Sequence, residues 1–270
     1  MNPIHLPRSY LFVPGDRPDR FDKALASGAD AVVVDLEDAV LPAAKAQARA
    51  AVAAWLQGTP QRARVVVRIN DDTTAHFADD LALLAHVGAV AVMLAKAESA
   101  ATVGRLRAAC PDLAVLPLVE TARGMLAAQA LAAAPGVQRL VFGTIDYALD
   151  LGLGSDPVAL DHGHATLALV SRAAGIAPPV AGVTTAIADE PLLRADMARA
   201  RAHGFGAKLC IHPHQVAAVH AALAPTAEEL AWARRVLQAA GANAGAVQLD
   251  GRMIDKPVIE HARRIAARAG

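Results

Sequence analysis

Short apolar runs alternate along the chain with longer alanine-rich stretches. The runs are Ser9–Val13, Ala31–Asp35, Val65–Ile69, Val90–Leu94, Ala114–Leu118, Arg139–Gly143, Pro179–Gly182 and Ala207–Ile211. They are continuously apolar rather than alternating, the pattern of parallel strands buried on both faces. The stretches between them are long enough for helices. Several open on start signals: Pro18 before Asp19–Ser27, Pro42 before Ala43–Leu56, and Asp189 before Pro191–His203. Alanine, leucine and arginine, which dominate these stretches, favour helix.

About eight strand–helix units in about 220 residues predict an α/β fold, a (β/α)8 TIM barrel. The run at Pro179–Gly182 is the weakest strand. The rival, an open doubly wound sheet, calls for a glycine-rich phosphate turn after the first strand, and Phe12–Asp16 (FVPGD) is not one. Beyond the barrel, Pro225–Thr226 opens a helix at Ala227–Ala240. A glycine- and asparagine-containing link at 241–245, a strand-like piece at Val247–Asp250, a turn at Gly251 and a helix from about Pro257 follow. The expected division is a catalytic barrel over 1–223 and a C-terminal helical extension over 224–270. That tail either packs on its own barrel or crosses to a neighbouring subunit.

Composition narrows the function. Lys plus Arg and Asp plus Glu both total 26, so no basic field exists to hold nucleic acid or an anionic membrane surface. Aromatic residues are 3%, too few for base-stacking platforms. Two cysteines, Cys110 and Cys210, exclude a disulfide scaffold. Met1–Arg8 lacks the apolar run of a signal peptide, and no stretch reaches the length of a membrane span. The expectation is a cytoplasmic protein acting on a small polar molecule.

In a barrel of this type chemistry gathers at the C-terminal ends of the strands. Strand two ends in Asp35-Leu36-Glu37-Asp38, strand three in Arg68-Ile69-Asn70, strand five reaches Glu120, strand six Asp146, and strand eight His212-Pro213-His214. Glu120 and Asp146 follow neighbouring strands, and two convergent carboxylates suit a hard cation such as Mg2+. They are otherwise two solvated loop acids, or one is a helix cap. Arg68 sits in the apolar run VVVRIN and needs a partner. Glu37 or Asp38 would pair with it structurally; alternatively it clamps a substrate carboxylate. His212 and His214 have the spacing of a zinc pair, but the acids after the middle strands speak against a zinc hydrolase. His162-Gly163-His164 reads as a surface turn or helix start. Lys96 reads as a contributor to rim electrostatics, or a helix-start partner of Glu98, ahead of a Schiff-base lysine. Gly152-Leu153-Gly154-Ser155 is a loop and a weak phosphate signal.

A set of ordered motifs carries a resemblance. These are RSYLFVP at 8–14 with RPDRF at 17–21, DLEDAV at 35–40, VRIN at 67–70, VETARG at 119–124, FGTID at 142–146, LCIHP at 209–213, AWARRVL at 231–237 and GRMIDKP at 251–257. With them the chain resembles the β-subunit of citrate lyase and its stand-alone relatives, the magnesium-dependent acyl-CoA carbon–carbon lyases. The resemblance implies a barrel with a C-terminal segment reaching a neighbouring active site in a homotrimer. It implies Mg2+ (with Mn2+ as substitute) held by Glu120 and Asp146, and Arg68 on the carboxylate of the substrate or α-keto product. It further implies Glu37 and Asp38 as acids around the metal and its waters, Asp255 as an acid/base supplied by the adjacent subunit, and Arg17 near the thioester end. The implied reaction is reversible cleavage of a 3-hydroxyacyl-CoA, such as citramalyl-CoA or malyl-CoA, to acetyl-CoA and an α-keto acid. Citryl cleavage on an acyl-carrier-protein thioester, malyl-CoA hydrolysis and a pyruvate aldolase are the alternatives within reach; a non-catalytic binding protein fits the retained acids poorly. Many relatives carry an acid where this chain has Ile145, and proline where it has Ala95.

Overall fold

The computed structural model describes residues 6–241 and 247–268. The described chain divides into two compact units, residues 1–220 and 221–270. The remaining residues, among them the leader stretch 1–5 and the link at 242–245, lie outside the described set.

In the first unit eight strands pair in parallel and close on themselves, β8 returning to β1. They are β1 (Ser9–Pro14), β2 (Ala31–Asp35), β3 (Val65–Ile69), β4 (Ala91–Leu94), β5 (Ala114–Val119), β6 (Val141–Phe142), β7 (Val180–Ala181) and β8 (Ala207–Cys210). Every strand contributes to one buried cluster that includes Tyr10, Val33, Val66, Met93, Leu116, Val141, Val180 and Leu209. Only the inside of the cylinder is shared by all eight strands, so this cluster fills the barrel interior. The residues between them, such as Val32, Val34, Val67, Val92 and Val115, are also buried and face the surrounding helices. Burial of both faces is why the runs read as continuously apolar.

The helices are α1 (Phe21–Leu25), α2 (Lys45–Gly58), α3 (Phe77–Val87), α4 (Ala100–Ala109), α5 (Ala122–Ala133), α6 (Thr144–Leu151), α7 (Asp161–Ala173), α8 (Glu190–Ala202) and α9 (His214–Leu223). Three of them, α4, α5 and α8, start at side chains that accept orphan backbone N–H groups: Ser99 from Ala101, Thr121 from Gly124 and Asp189 from Leu192. None of the described helices is long and apolar enough to cross a membrane.

Two strands are shorter than the sequence predicts. β7 is cut to two residues because Pro178 and Pro179 precede it and offer no N–H to a ladder. The run beginning at Arg139 yields a strand only at Val141–Phe142. Arg139 itself is buried, donating to the carbonyls of Pro178 (2.9 Å) and Pro7 (2.8 Å). Its charge closes the N-terminal end of the barrel, away from the rim where chemistry is expected.

The second unit holds α10 (Ala227–Gly241), the hairpin β9 (Val247–Leu249) and β10 (Arg252–Ile254), and α11 (Lys256–Ala267). Asp250 and Gly251 both adopt left-handed φ (51° and 75°), the geometry of a two-residue hairpin turn. Ala233, Val236, Ile254, Ala262 and Ile265 form its core. Thr226 and Glu229 exchange hydrogen bonds at the start of α10, a capping box.

Candidate active site

Asp35 ends β2 and stands beside Arg68 of β3 in the parallel register. Parallel pairing thus brings a carboxylate and a guanidinium to adjacent strand ends. Arg68 donates Nε to Asp35 Oδ1 (2.8 Å) and Nη2 to Oδ2 (2.6 Å), a bidentate fork. Its Nη1 lies 3.0 Å from Glu37 Oε2, and the guanidinium sits 4.8 Å from the centre of the Phe12 ring. Asp35 is only 1% exposed and also accepts the backbone N–H groups of Glu37 (2.8 Å) and Ala39 (3.1 Å). Burial works against the charge of Arg68, yet the Asp35 hydrogen bond and the charges of Asp35, Glu37 and Glu120 outweigh it and raise its pKa. Of the two partners expected for Arg68, Glu37 is present and Asp38 is not. Asp38 is exposed and lines the cleft, and the principal partner is Asp35.

Glu37 links this pair to the next strand. Its Oε1 accepts from Lys96 Nζ at 2.6 Å. Burial pushes the Glu37 carboxyl up, against the pull of Arg68 and Lys96. Lys96 therefore pairs with Glu37; Glu98, its expected alternative, instead accepts from the Thr121 hydroxyl at 2.8 Å. Burial opposes the Lys96 charge, but the hydrogen bond to Glu37 and the acids around it raise its pKa overall. A lysine held protonated is a poor Schiff-base nucleophile. Lys96 also has a left-handed backbone, φ 44°, an uncommon conformation for a residue with a side chain.

Glu120 follows β5 and is 2% exposed. Its Oε1 accepts the backbone N–H of Lys96 at 2.8 Å. Gly143, just after β6, packs so closely that an added Cβ would lie 2.5 Å from both Glu120 Cβ and Oε2. Burial pushes the Glu120 carboxyl up to about 8; the Lys96 N–H and Arg68 oppose this, and the charges of Glu37 and Asp146 add to it. Asp146 lies in the first turn of α6 and does not cap it; Gly143 holds the cap position. Glu120, Asp146, Arg68 and Asp38 line one cleft of about 370 Å3, whose remaining wall includes Phe12, Leu118, Ile145, Val183, Leu209 and Ile211.

A buried polar support lies beneath the acids of β2. Lys45, at the start of α2, donates from Nζ to the carbonyls of Leu36 (2.8 Å) and Glu37 (2.9 Å) and to Asn70 Oδ1 (2.8 Å). Asn70 in turn donates to Leu36 O (3.0 Å) and to Asp80 Oδ2 (2.6 Å). All three ammonium donors of Lys45 are engaged, which allows a buried lysine to persist. Sequence reasoning missed Lys45 because a lysine at a helix start usually faces water. It missed Gly143 because a glycine after a strand signals only a turn.

The other candidates make contacts of their own. Arg17 is exposed after β1 and pairs with Asp19 at 3.1 Å, outside the cleft lining. Asp255 belongs to the second unit, where its Oδ1 accepts from Val258 N (3.3 Å) and caps α11. His212 and His214 stack edge-on at 4.5 Å, and His212 Nδ1 accepts the His214 N–H at 3.3 Å. The surface placement expected for His162-Gly163-His164 is corrected for two of its members. Gly163 and His164 are buried within α7, His164 against Phe142 and Phe205, and burial lowers its pKa.

A closed parallel barrel with acids and an arginine gathered at one rim places the chemistry at the C-terminal strand ends, and comparison with known proteins identifies the class as TIM-barrel carbon–carbon lyases. Residues 8–213 match the HpcH/HpaI aldolase/citrate lyase family, and residues 169–270 match the C–C bond lyases of the TIM-barrel fold. The chain belongs to the HpcH/HpaI aldolase/citrate lyase family. It is 43% identical to a citrate lyase subunit beta-like protein of Mycobacterium tuberculosis, over 97% of this chain and 95% of that protein. It is 35% identical to a (3S)-malyl-CoA thioesterase of Cereibacter sphaeroides, over 97% of this chain and 94% of that protein. The crystal structure of protein CitE from Mycobacterium tuberculosis with magnesium, acetoacetate and coenzyme A matches with a TM-score of 0.87 at 40% identity. That match covers 97% of this chain and 98% of the other.

Proposed function

We propose that the protein is a Mg2+-dependent lyase that cleaves, or in reverse forms, the C–C bond of a 3-hydroxyacyl-CoA. Citramalyl-CoA and malyl-CoA are the substrates that fit best. The observation that carries this reading is the cleft itself: Glu120 and Asp146 share it with two further acids, Asp35 and Asp38, one arginine and an apolar wall.

The acids suit a cation. Glu120 is buried with one oxygen tied to a peptide N–H, and its pKa is pushed up by burial and by neighbouring carboxylates. A divalent ion would relieve that cost, and an all-oxygen donor pair matches Mg2+ or Mn2+. Among the described residues no three acids, histidines or cysteines converge as a metal-binding group, so water and substrate oxygens would complete the sphere. When bound, the ion supplies Lewis acidity and a template for the substrate hydroxyl and its adjacent carboxylate.

The chain's own residues do the rest. Arg68, held in plane by Asp35 and Glu37, grips the substrate carboxylate and fixes its direction. In cleavage the hydroxyl gives its proton to solvent water, its oxygen becomes the carbonyl of the α-keto acid as the C–C bond breaks, and the bonding pair passes to the thioester as an enolate. Asp255 of a neighbouring copy in a homotrimer returns a proton to the enolate carbon, giving acetyl-CoA. In condensation it removes that proton. Asp38, which lines the cleft, would hold waters around the metal, and Arg17 would meet the thioester end. Among the described residues lining the cleft, Arg68 is the one cation. That favours keto acids with a single carboxylate over the oxaloacetate released from a citryl thioester.

The kinship with (3S)-malyl-CoA thioesterases supports one second reading, hydrolysis. Products separate the two. Purified protein is given racemic citramalyl-CoA and malyl-CoA, with Mg2+ and then with chelator, while keto acid, acetyl-CoA and free CoA are followed individually. Keto acid and acetyl-CoA appearing together, only with metal, and lost in Glu120→Ala, is the expected result. Malate with free CoA and no keto acid supports hydrolysis. Metal-independent cleavage, or full activity of Glu120→Ala, overturns the metal assignment.

A further inference from the structure

We propose that Lys96 is a positioning residue with two separable tasks: its backbone sets the proposed metal ligand Glu120, and its ammonium sets Arg68 through Glu37. The proposal rests on Glu120 being a metal ligand, as argued above.

The chain on either side of Lys96 is pinned. Ala95 N donates to Ile69 O of β3 (3.3 Å), and Ala97 N donates to Leu118 O of β5 (3.0 Å). Between these anchors Lys96 takes φ 44°. That turn removes its N–H from the ladder and sends it to Glu120 Oε1 at 2.8 Å. That bond holds Oε1, with Oε2 beside Gly143, so the Lys96 peptide fixes the orientation in which Glu120 presents its carboxylate to a cation. If the bend were the only requirement, glycine would meet it without strain. A lysine stands here in a conformation that disfavours it, which points to work done by the side chain. That work is visible: Nζ lies 2.6 Å from Glu37 Oε1, and Glu37 Oε2 lies 3.0 Å from Arg68 Nη1. One residue thereby ties the metal end of the site to its carboxylate-binding end.

The two tasks separate by substitution. K96G keeps the left-handed bend and the N–H but removes the ammonium. K96V removes the ammonium and also disfavours the bend, because a β-branched side chain is a genuine outlier at positive φ. Mn2+ affinity is read from the free-ion electron paramagnetic resonance signal, independently of turnover, and KM and kcat are measured with citramalyl-CoA. K96G is expected to bind Mn2+ within about threefold of wild type, while its KM rises about tenfold through a loosened Arg68. K96V is expected to lose at least about tenfold in Mn2+ affinity as well. K96A, strained but smaller, takes the place of K96V if that variant does not fold. Equal Mn2+ affinity in K96V (or K96A) and wild type overturns the backbone task, and an unchanged KM in K96G overturns the side-chain task. E120Q is the reference. Weakened binding in E120Q with none in K96V rejects Lys96 alone. Wild-type protein that binds no Mn2+, or E120Q that binds it undiminished, overturns the metal site and this proposal with it.

Discussion

Gly143→Ala tests the Glu120 geometry through a single methyl group. Gly143 has φ −84°, which alanine adopts, so any effect comes from the added carbon and not from backbone strain. That carbon would lie 2.5 Å from Glu120 Cβ, 2.5 Å from Oε2 and 3.3 Å from Cδ. The strands cannot spread to make room without breaking the bond from Gly143 N to Val119 O (3.0 Å) and the β5–β6 pairing. Turning the carboxylate away relieves the contact with Oε2 but not the one with Cβ, so the backbone of β5 or β6 must shift as well, and the Lys96 N–H bond to Oε1 is strained or lost. A hydrogen bond to a charged group contributes about 1.5–3 kcal/mol, which corresponds to about 10–150-fold in affinity. Isothermal titration with Mg2+ should show weakening of that size. Overpacking should also lower the stability of the metal-free protein by about 1–3 kcal/mol, read as a fall in Tm. Gly154→Ala is the control, because a carbon added there meets nothing within 4 Å. If Gly143→Ala binds Mg2+ as tightly as wild type with an unchanged Tm, the close approach of Gly143 to Glu120 does not constrain the carboxylate and the reasoning fails.

Three further outcomes are expected. Burial pushes Glu120 up to about 8 from its ordinary 4.5, so the metal-free folded protein holds a proton that the unfolded chain has released. Stability of that form should fall as pH rises from about 4.5 to about 8, then level off. Mg2+ binding at pH 7 should release about one proton, seen by calorimetry in two buffers of different ionisation enthalpy; no release refutes the linkage. Asp255→Asn should lower kcat by about 10²–10⁴-fold, the range of acid–base catalysis, with little change in Tm, because asparagine caps a helix as well as aspartate. Unchanged kcat removes Asp255 from the chemistry.

The barrel was legible because both faces of each strand are buried. Val65–Ile69 and Ala31–Asp35 were readable to the residue, since a run of valines has few other fates. The proline-led β7 was faint for the reason it is short. The rim acids were legible as residues following strands, but their pairings were not. Asp35 was seen only as a rim acid, yet strand register makes it the partner of Arg68. Register depends on how strands two and three align in space, which a run of valines does not reveal. Lys45 and Asp80 belong to the support through contacts that span 25 and 10 residues to Asn70. His164 reads as polar in sequence and is buried only because Phe142 and Phe205 enclose it.

The crowding of acids around Arg68 has a consequence for the binding of ion and substrate. Asp35, Glu37, Asp38, Glu120 and Asp146 stand at this rim against Arg68 and Lys96. Even with Glu120 protonated, negative groups outnumber positive ones, while an acyl-CoA arrives carrying a carboxylate and phosphates. An anion approaching the bare rim is repelled, and the repulsion is weakly screened at close range. A divalent cation seated between Glu120 and Asp146, with the Glu120 proton released, would halve the excess from two negative charges to one. Metal and substrate are then thermodynamically coupled ligands, each raising the affinity for the other by the same factor. In the proposed lyase, ion and thioester would therefore each bind more tightly in the presence of the other.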